Sequence, residues 1–366
     1  MKKTIEYKVT AILFAVIIFG LTFFGVFLKD NEFSLSERRL LADFPEITVE
    51  TIKSGKAMKD FSSYMADQFP LRDGFRSVKA YLLSYLYFQK DNNGVYNVDG
   101  SLSKLDYLLN EKSVESFISK IKRVERMYLN DTNKTYFALI PDKNYFLADE
   151  NGYPSYDYEL MKSKLNNGLS DTMTVVDIFS ALSADDYYKT DSHWKSENLK
   201  GVTDILADKM SFSDRVTDCQ IMALDKPFYG VYNGQSALNL PAETIFYPVN
   251  EAIENAVVND LDKGKTGGVY WGEGDERDRY TFFLNGSSSL LTIENKLAKT
   301  DKELILFRDS FGSALAPWLV EAYSKITVVD IRYIQPDALN KFITFENADV
   351  LFLYSCGVVN NSETLK

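Results

Sequence analysis

The 366-residue chain reads as an α/β protein, a parallel sheet with helices on both faces, preceded by an N-terminal transmembrane helix. Three observations predict this. Short β-rich apolar runs alternate with stretches of helical period. The first apolar stretch is long enough to cross a bilayer. The only histidine and an Asp-Ser pair each follow a predicted strand, where open α/β sheets gather their sites.

At the N-terminus, Lys2, Lys3 and Lys8 precede an apolar run from Val9 to Leu28, and Lys29-Asp30 follows it. About 20 apolar residues match the thickness of a bilayer core. The leading positive charges favour an inside N-terminus and an outside bulk. Gly25-Val26-Phe27-Leu28 lacks a small-x-small cleavage pattern. Residues 1–28 are therefore expected to be an uncleaved signal anchor in the cell membrane, single-pass, with the remaining chain extracytoplasmic.

Residues 29–92 read as a connector and helical arm. Phe61, Tyr64, Met65 and Phe69 recur at helical spacing, Pro70 interrupts, and Phe75, Val78, Leu82 and Leu86 resume. Residues 93–366 read as the main domain, starting in a hairpin-like run, Gly94–Gly100. Helix is expected over Ser113–Leu129, strand over Thr135–Ile140 and Thr172–Ile178, and helix over Trp194–Met210. Further on come a strand at Leu304–Phe307, a helix at Phe311–Tyr323, a strand at Ile326–Ile331, a helix at Pro336–Phe345 and a strand at Val350–Tyr354. Residues from about 225 to 300, rich in glycine and aromatics, break this rhythm and read as inserted loops and short antiparallel strands.

The first 28 residues hold three basic residues and one acidic one. Of the 41 basic and 52 acidic residues, 38 and 51 thus lie beyond them, a net charge of −13. An acidic domain is a poor partner for nucleic acid. Cys219 and Cys356 are the only cysteines, and either a disulfide or two buried thiols fits them. With one histidine and no CxxC, neither a metal site nor a cofactor is expected.

The histidine, His193, lies in Tyr187-Tyr188-Lys189-Thr190-Asp191-Ser192-His193-Trp194. Imidazole titrates near neutral pH and is the usual general base for a serine. Asp191, two residues upstream, has the chemistry to hold its tautomer. In Leu304-Ile305-Leu306-Phe307-Arg308-Asp309-Ser310-Phe311-Gly312 an apolar strand ends at Ser310, the candidate nucleophile. Each motif alone also fits a plainer role: a structural histidine, and an Asp-Ser helix cap.

Together with Val329-Asp330-Ile331-Arg332-Tyr333, Leu139-Ile140-Pro141-Asp142-Lys143, Asp67-Gln68-Phe69-Pro70-Leu71-Arg72 and the run Tyr280–Leu291, these segments resemble the DHHW family. That family is related to the SGNH-hydrolase-like domain of alginate O-acetyltransferase proteins. The resemblance covers most of the chain beyond the anchor. It implies an SGNH-hydrolase-like sheet and a Ser-His-Asp triad, with Ser310 as nucleophile, His193 as base and Asp191 as orienter. Ser192 stands where the family's name has its first histidine, and Arg308 where many SGNH-type proteins have glycine.

Around this triad, backbone N–H groups at Ser310 and the start of its helix are candidate oxyanion donors. Asn285 is a candidate side-chain donor or a turn residue before Gly286. Arg332 and Tyr333 are expected to line the cleft or to pair with Asp330 or Asp309. Trp271, set among glycines, is a candidate for stacking on a sugar, whereas Trp194 and Trp318 read as core.

The reading these residues favour is an extracytoplasmic O-acetyltransferase acting on a cell-envelope or secreted polysaccharide. Acetyl-CoA is cytoplasmic, so a membrane-bound O-acyltransferase is the partner the alginate-type resemblance implies. The alternatives are a carbohydrate acetyl esterase with the same triad and a non-catalytic polysaccharide-binding or assembly protein.

Overall fold

The N-terminal apolar run forms one helix, α1 (Lys2–Phe27), in the computed structural model, which describes residues 2–366. Met1, the first residue of the predicted anchor, lies outside them. Within α1, Ile5–Gly25 is long and apolar enough to cross a membrane. The chain divides into two compact units, one comprising the chain up to Asn93 with Asn233–Asn239, the other Gly94–Tyr232 with Leu240–Lys366.

In the first unit, a small strand pair, β1 (Phe33–Ser34) and β2 (Arg39–Leu40), and the helix α2 (Val49–Lys53) form the connector ahead of the arm. The arm is α3 (Lys56–Asp67) and α4 (Arg72–Tyr81), continued by a π-helical turn, Leu82–Leu86. Pro70, with no N–H and a fixed φ, separates the two helices. The Asp67–Arg72 run fastens the unit. Asp67 receives the fork of Arg39 at 2.7 and 2.5 Å, the Gln68 amide donates to the carbonyls of Asn31 and Ala42, and Arg72 meets Glu37 at 2.5 Å.

The second unit opens with the hairpin β3 (Val95–Val98) and β4 (Ser101–Lys104). Asp99 and Gly100 take the positive φ angles that its tight turn requires. In chain order there follow α5 (Glu111–Tyr128), β5 (Lys134–Ile140), α6 (Lys143–Leu147), α7 (Tyr158–Leu169), β6 (Thr174–Val176), α8 (Lys200–Met210), β7 (Gln220–Phe228), α9 (Val231–Ser236, which belongs to the first unit from Asn233 on), β8 (Glu243–Val249), α10 (Glu251–Asn255), β9 (Val257–Asp260), β10 (Lys265–Gly267), β11 (Leu290–Glu294), β12 (Glu303–Arg308), α11 (Gly312–Leu319), β13 (Lys325–Val329), β14 (Asp349–Ser355) and α12 (Cys356–Asn360).

The main sheet has eight strands in the order β10-β9-β11-β13-β12-β14-β5-β6. Strands β13, β12, β14, β5 and β6 are mutually parallel. Alternate residues face opposite sides. Leu304, Leu306, Leu351 and Leu353 join α8 and α11 in one apolar cluster, while Ile305, Phe307, Val350 and Phe352 join α5 and α7 in the other. The α/β class with helices on both faces is therefore the one observed.

The 225–300 stretch does not stand apart from the sheet. Only β7 and β8 form a separate pair, whereas β9, β10 and β11 extend the main sheet as an antiparallel edge. Val258, Leu291 and Ile293 bury themselves in the same core as the parallel strands, which draws these short runs in. Three predicted helices are shorter than expected. Trp194–Leu199 is irregular ahead of α8, because its side chains bond across to α11 and the turn before it. Helix α11 stops at Leu319, two residues past Pro317. Pro336–Lys341 is a 3₁₀ turn. Cys219 and Cys356 are both free, Cys356 fully buried.

Candidate active site

The C-terminal ends of β5, β12, β13 and β14 place Lys143, Ser310, Asp330 and Ser355 at one end of the sheet. Ser310 sits in the three-residue turn between β12 and α11. Asp309 shapes that turn by accepting from the Phe311 N–H at 3.0 Å and from the N–H and hydroxyl of Ser355 at 2.8 and 2.6 Å. Gly312 is required here, since a Cβ on it would lie 2.6 Å from Arg308 Cβ.

The structure brings Ser310, His193 and Asp191 together. His193 Nε2 is 2.9 Å from Ser310 Oγ, and His193 Nδ1 is 2.6 Å from Asp191 Oδ1. The carboxylate accepts from Nδ1–H, so the tautomer this arrangement favours leaves Nε2 as the acceptor facing the hydroxyl. Asp191 is fully buried, with Oδ1 also accepting from the His193 N–H at 3.1 Å and Oδ2 from the Val231 N–H at 2.8 Å. Ser192 adds its hydroxyl at 3.4 Å, a weak contact on the same carboxylate. The imidazole stacks on Tyr280, with ring centroids 4.0 Å apart and 17° between planes, and leans on Phe311 at 4.9 Å.

The loop carrying His193 and Asp191 has little secondary structure of its own, and its backbone is held from two sides. Glu243 accepts from the N–H groups of Lys189 and Thr190, each at 2.7 Å, and from the Thr190 hydroxyl. On the carbonyl side, the Lys143 ammonium donates to Tyr188 O at 2.6 Å and Lys189 O at 3.2 Å. Burial pushes Lys143 down to about 7, against the pull of Asp191 and Glu243. Gly230 lies flat on the loop, where a Cβ would come within 2.1 Å of Thr190 O. Three bonds then join the loop to the nucleophile's helix: Trp194 Nε1–H to Phe311 O, the Ser196 hydroxyl to Ala314 O, and Trp318 Nε1–H to Ser196 O. The two tryptophans are core residues, as the sequence suggests.

The other residues picked from the sequence lie as follows. Asn285 has positive φ in a turn before Gly286, and its amide donates to Asp260 Oδ2 at 3.2 Å. Arg332 forks onto Asp330 at 2.9 and 2.6 Å, and Tyr333 is exposed beside the guanidinium. Buried Arg308 reaches the same Asp330 at 3.3 Å, so one carboxylate serves two guanidiniums. Burial pushes the Arg308 guanidinium down while Asp330 pulls it up. Trp271 is half-buried, its ring against Gly267. Among the described residues, no cluster of His, Cys, Asp and Glu is arranged to hold a metal ion.

Glu243, Val231 and Gly230 escape a reading of the sequence. Lys143, Tyr280 and Phe311 fall inside runs that carry the family resemblance, with no role attached. Near His193, Glu197 Oε2 is buried without a hydrogen-bond partner among the described residues, and burial pushes its carboxyl up to about 7.

No family model matches the sequence, and no curated protein is close enough to match it. Solved structures do. A DHHW family protein from Eubacterium siraeum is 20% identical, over 75% of this chain and 95% of its own, with a TM-score of 0.62. The chain has the fold of a DHHW family protein. Bacillus cereus PatB1, solved with a sulfonyl adduct, is 16% identical over 72% of this chain and 95% of its own, with a TM-score of 0.58. The O-acetyltransferase domain of Pseudomonas putida AlgJ, 12% identical over 73% and 92%, aligns with a TM-score of 0.46.

Proposed function

We propose that this protein is a membrane-anchored serine O-acetyltransferase that acetylates a cell-envelope or secreted polysaccharide outside the cell. One observation carries the reading: an Asp191–His193–Ser310 relay with both hydrogen bonds in place. In it Ser310 Oγ attacks the carbonyl of an acetyl donor while His193 Nε2 takes its proton. The imidazolium, held by Asp191 and stacked on Tyr280, protonates the leaving group. A sugar hydroxyl then attacks the acetyl-serine, giving its proton to His193, which returns it to Ser310. Of the N–H groups in the turn, Phe311 and Gly312 donate to Asp309, which leaves that of Ser310 as the candidate oxyanion donor. The acetyl group is delivered by a membrane-bound O-acyltransferase, and α1 anchors the enzyme beside it.

A sulfonyl fluoride, the class of electrophile that leaves a sulfonyl adduct, tests the nucleophile. Intact mass should show one adduct on the wild type, mapped to Ser310, and none on Ser310→Ala. With an acetyl ester donor and candidate glycans, acetylated sugar should exceed free acetate. Acetate alone would make the protein an esterase. No adduct and no turnover, with glycan still bound, would make it a non-catalytic binder.

A further inference from the structure

Helix α4 and its π-helical continuation are amphipathic the wrong way round for a soluble arm. Phe75, Val78, Leu82, Tyr85 and Leu86, at helical spacing, are all exposed. The opposite face holds Ser77, Ala80 and Ser84. There Asn239 donates to Ser77 Oγ at 2.7 Å, Arg76 to Gly234 O at 2.8 Å, and the Tyr81 hydroxyl to Leu238 O at 2.7 Å. The small and polar side of the helix is turned inward and the apolar side outward. A contiguous exposed apolar face of this kind marks an interaction surface, whereas scattered exposed residues do not.

The same unit contains α1, and a groove of about 350 Å³ records how α1 meets the arm. Leu21 and Gly25 of α1 line it together with Phe61, Met65, Phe69 and Pro70 of the arm. A Cβ on Gly25 would sit 3.6 Å from Pro70 Cδ. Gly25 ends the membrane-crossing stretch, and Leu21 lies about 6 Å deeper at 1.5 Å per residue. The corner from which α4 departs is thus level with the last turn of the span. That is the depth, roughly 5–10 Å into the headgroup and acyl boundary, at which in-plane amphipathic helices lie. Tyr85 and Tyr87 supply the aromatic character typical of that zone, and Lys79 has a stem long enough to reach the headgroups.

We infer that the apolar face of α4 and Leu82–Leu86 is immersed in the outer surface of the lipid bilayer, so that the chain is held by a second, in-plane membrane contact besides α1. This rests on the reading of α1 as a membrane anchor, and the test separates the two. The full chain, in a Cys219→Ser background, is reconstituted in vesicles of phosphatidylcholine and phosphatidylglycerol. Nitroxide labels are placed singly at Val78→Cys, Leu82→Cys, Leu86→Cys, at Val16→Cys in the span and at the exposed position Lys209→Cys on α8. Collisions with lipid-soluble oxygen and with a water-soluble nickel chelate are then compared. The expected result is that positions 78, 82 and 86 favour oxygen as Val16→Cys does, while Lys209→Cys favours nickel. Nickel accessibility at the three arm positions, with Val16→Cys still lipid-exposed, overturns the inference and leaves the anchor standing. Arm labels shielded from both colliders overturn it in favour of a second copy of the chain on that face. Nickel accessibility at Val16→Cys removes the anchor and the inference with it.

Discussion

Ser310 lies where β12 becomes α11, two residues from regular structure on either side, whereas His193 and Asp191 lie between β6 and α8 with only short turns around them. The nucleophile is positioned by the strand-to-helix turn itself, which its sequence neighbour Asp309 closes. The base is positioned by side chains: Glu243 on the N–H groups, Lys143 on the carbonyls, Trp194 reaching across to Phe311. Damage to the first region should therefore cost folding, and damage to the second should cost catalysis while the fold survives.

The largest effect should come from Asp191→Asn. An amide at this position cannot hold the imidazole with Nε2 free, so turnover should fall on the order of 10³–10⁴-fold in a steady-state assay. If kcat were retained, the relay would not operate.

Next are the two glycines, one in each region. Gly312→Ala pushes a Cβ toward Arg308 Cβ and should lower stability by about 1–3 kcal/mol, read by denaturant unfolding. Gly230→Ala pushes a Cβ to 2.1 Å from the Thr190 carbonyl oxygen, in the loop that Glu243 and Lys143 hold. It should displace Thr190 and Asp191 and lower kcat more than it lowers the unfolding midpoint. Equal losses of stability in the two variants would break the comparison.

Glu243→Gln keeps the shape of the clamp but removes its charge and one acceptor oxygen. Charge-assisted hydrogen bonds are about twice as strong as neutral ones. A fall in kcat of roughly tenfold with KM unchanged is expected, near 1.4 kcal/mol of transition-state stabilisation.

The remaining effect concerns pH. The Glu197 carboxyl is pushed up from the ordinary 4.5 to about 7 in the folded protein, so folding takes up a proton between those values. Stability from this group is present at pH 4 and is lost as pH rises through 7. Glu197→Gln should match wild type near pH 4.5 and exceed it at pH 8 by about 1–2 kcal/mol, discounted for its half-buried side chain. Melting curves at the two pH values measure this, and a variant no more stable at pH 8 would remove Glu197 as a strained group.

The same contrast explains what a reader of the sequence sees. Strand, Asp-Ser and helix fall within 16 consecutive residues, Leu304–Leu319, so the nucleophile's turn is a local pattern. The Asp191-x-His193 pair is also local. The groups that hold the loop join it from 40 to 117 residues away: Val231 at 40 from Asp191, Lys143 at 45 from Tyr188, Glu243 at 53 from Thr190 and Phe311 at 117 from Trp194. No periodicity links such positions. Short antiparallel strands are expected in the 225–300 stretch, but their place in the main sheet escaped for a related reason. Strands β9 and β10 are short and β11 resembles any β-rich run, and only pairing with β13 assigns them to the sheet. Asn285 illustrates the reverse, since its Asn-Gly context already marks the turn it occupies.

The stacking of His193 on Tyr280 has a consequence for observing the protein. A chain with one histidine has one imidazole spin system, free of overlap from any other. A phenol ring parallel to it at 4.0 Å shifts its carbon-bound protons upfield by ring current. The histidine signal of the intact protein is thus a built-in reporter. Its position tells whether the phenol ring lies over the imidazole.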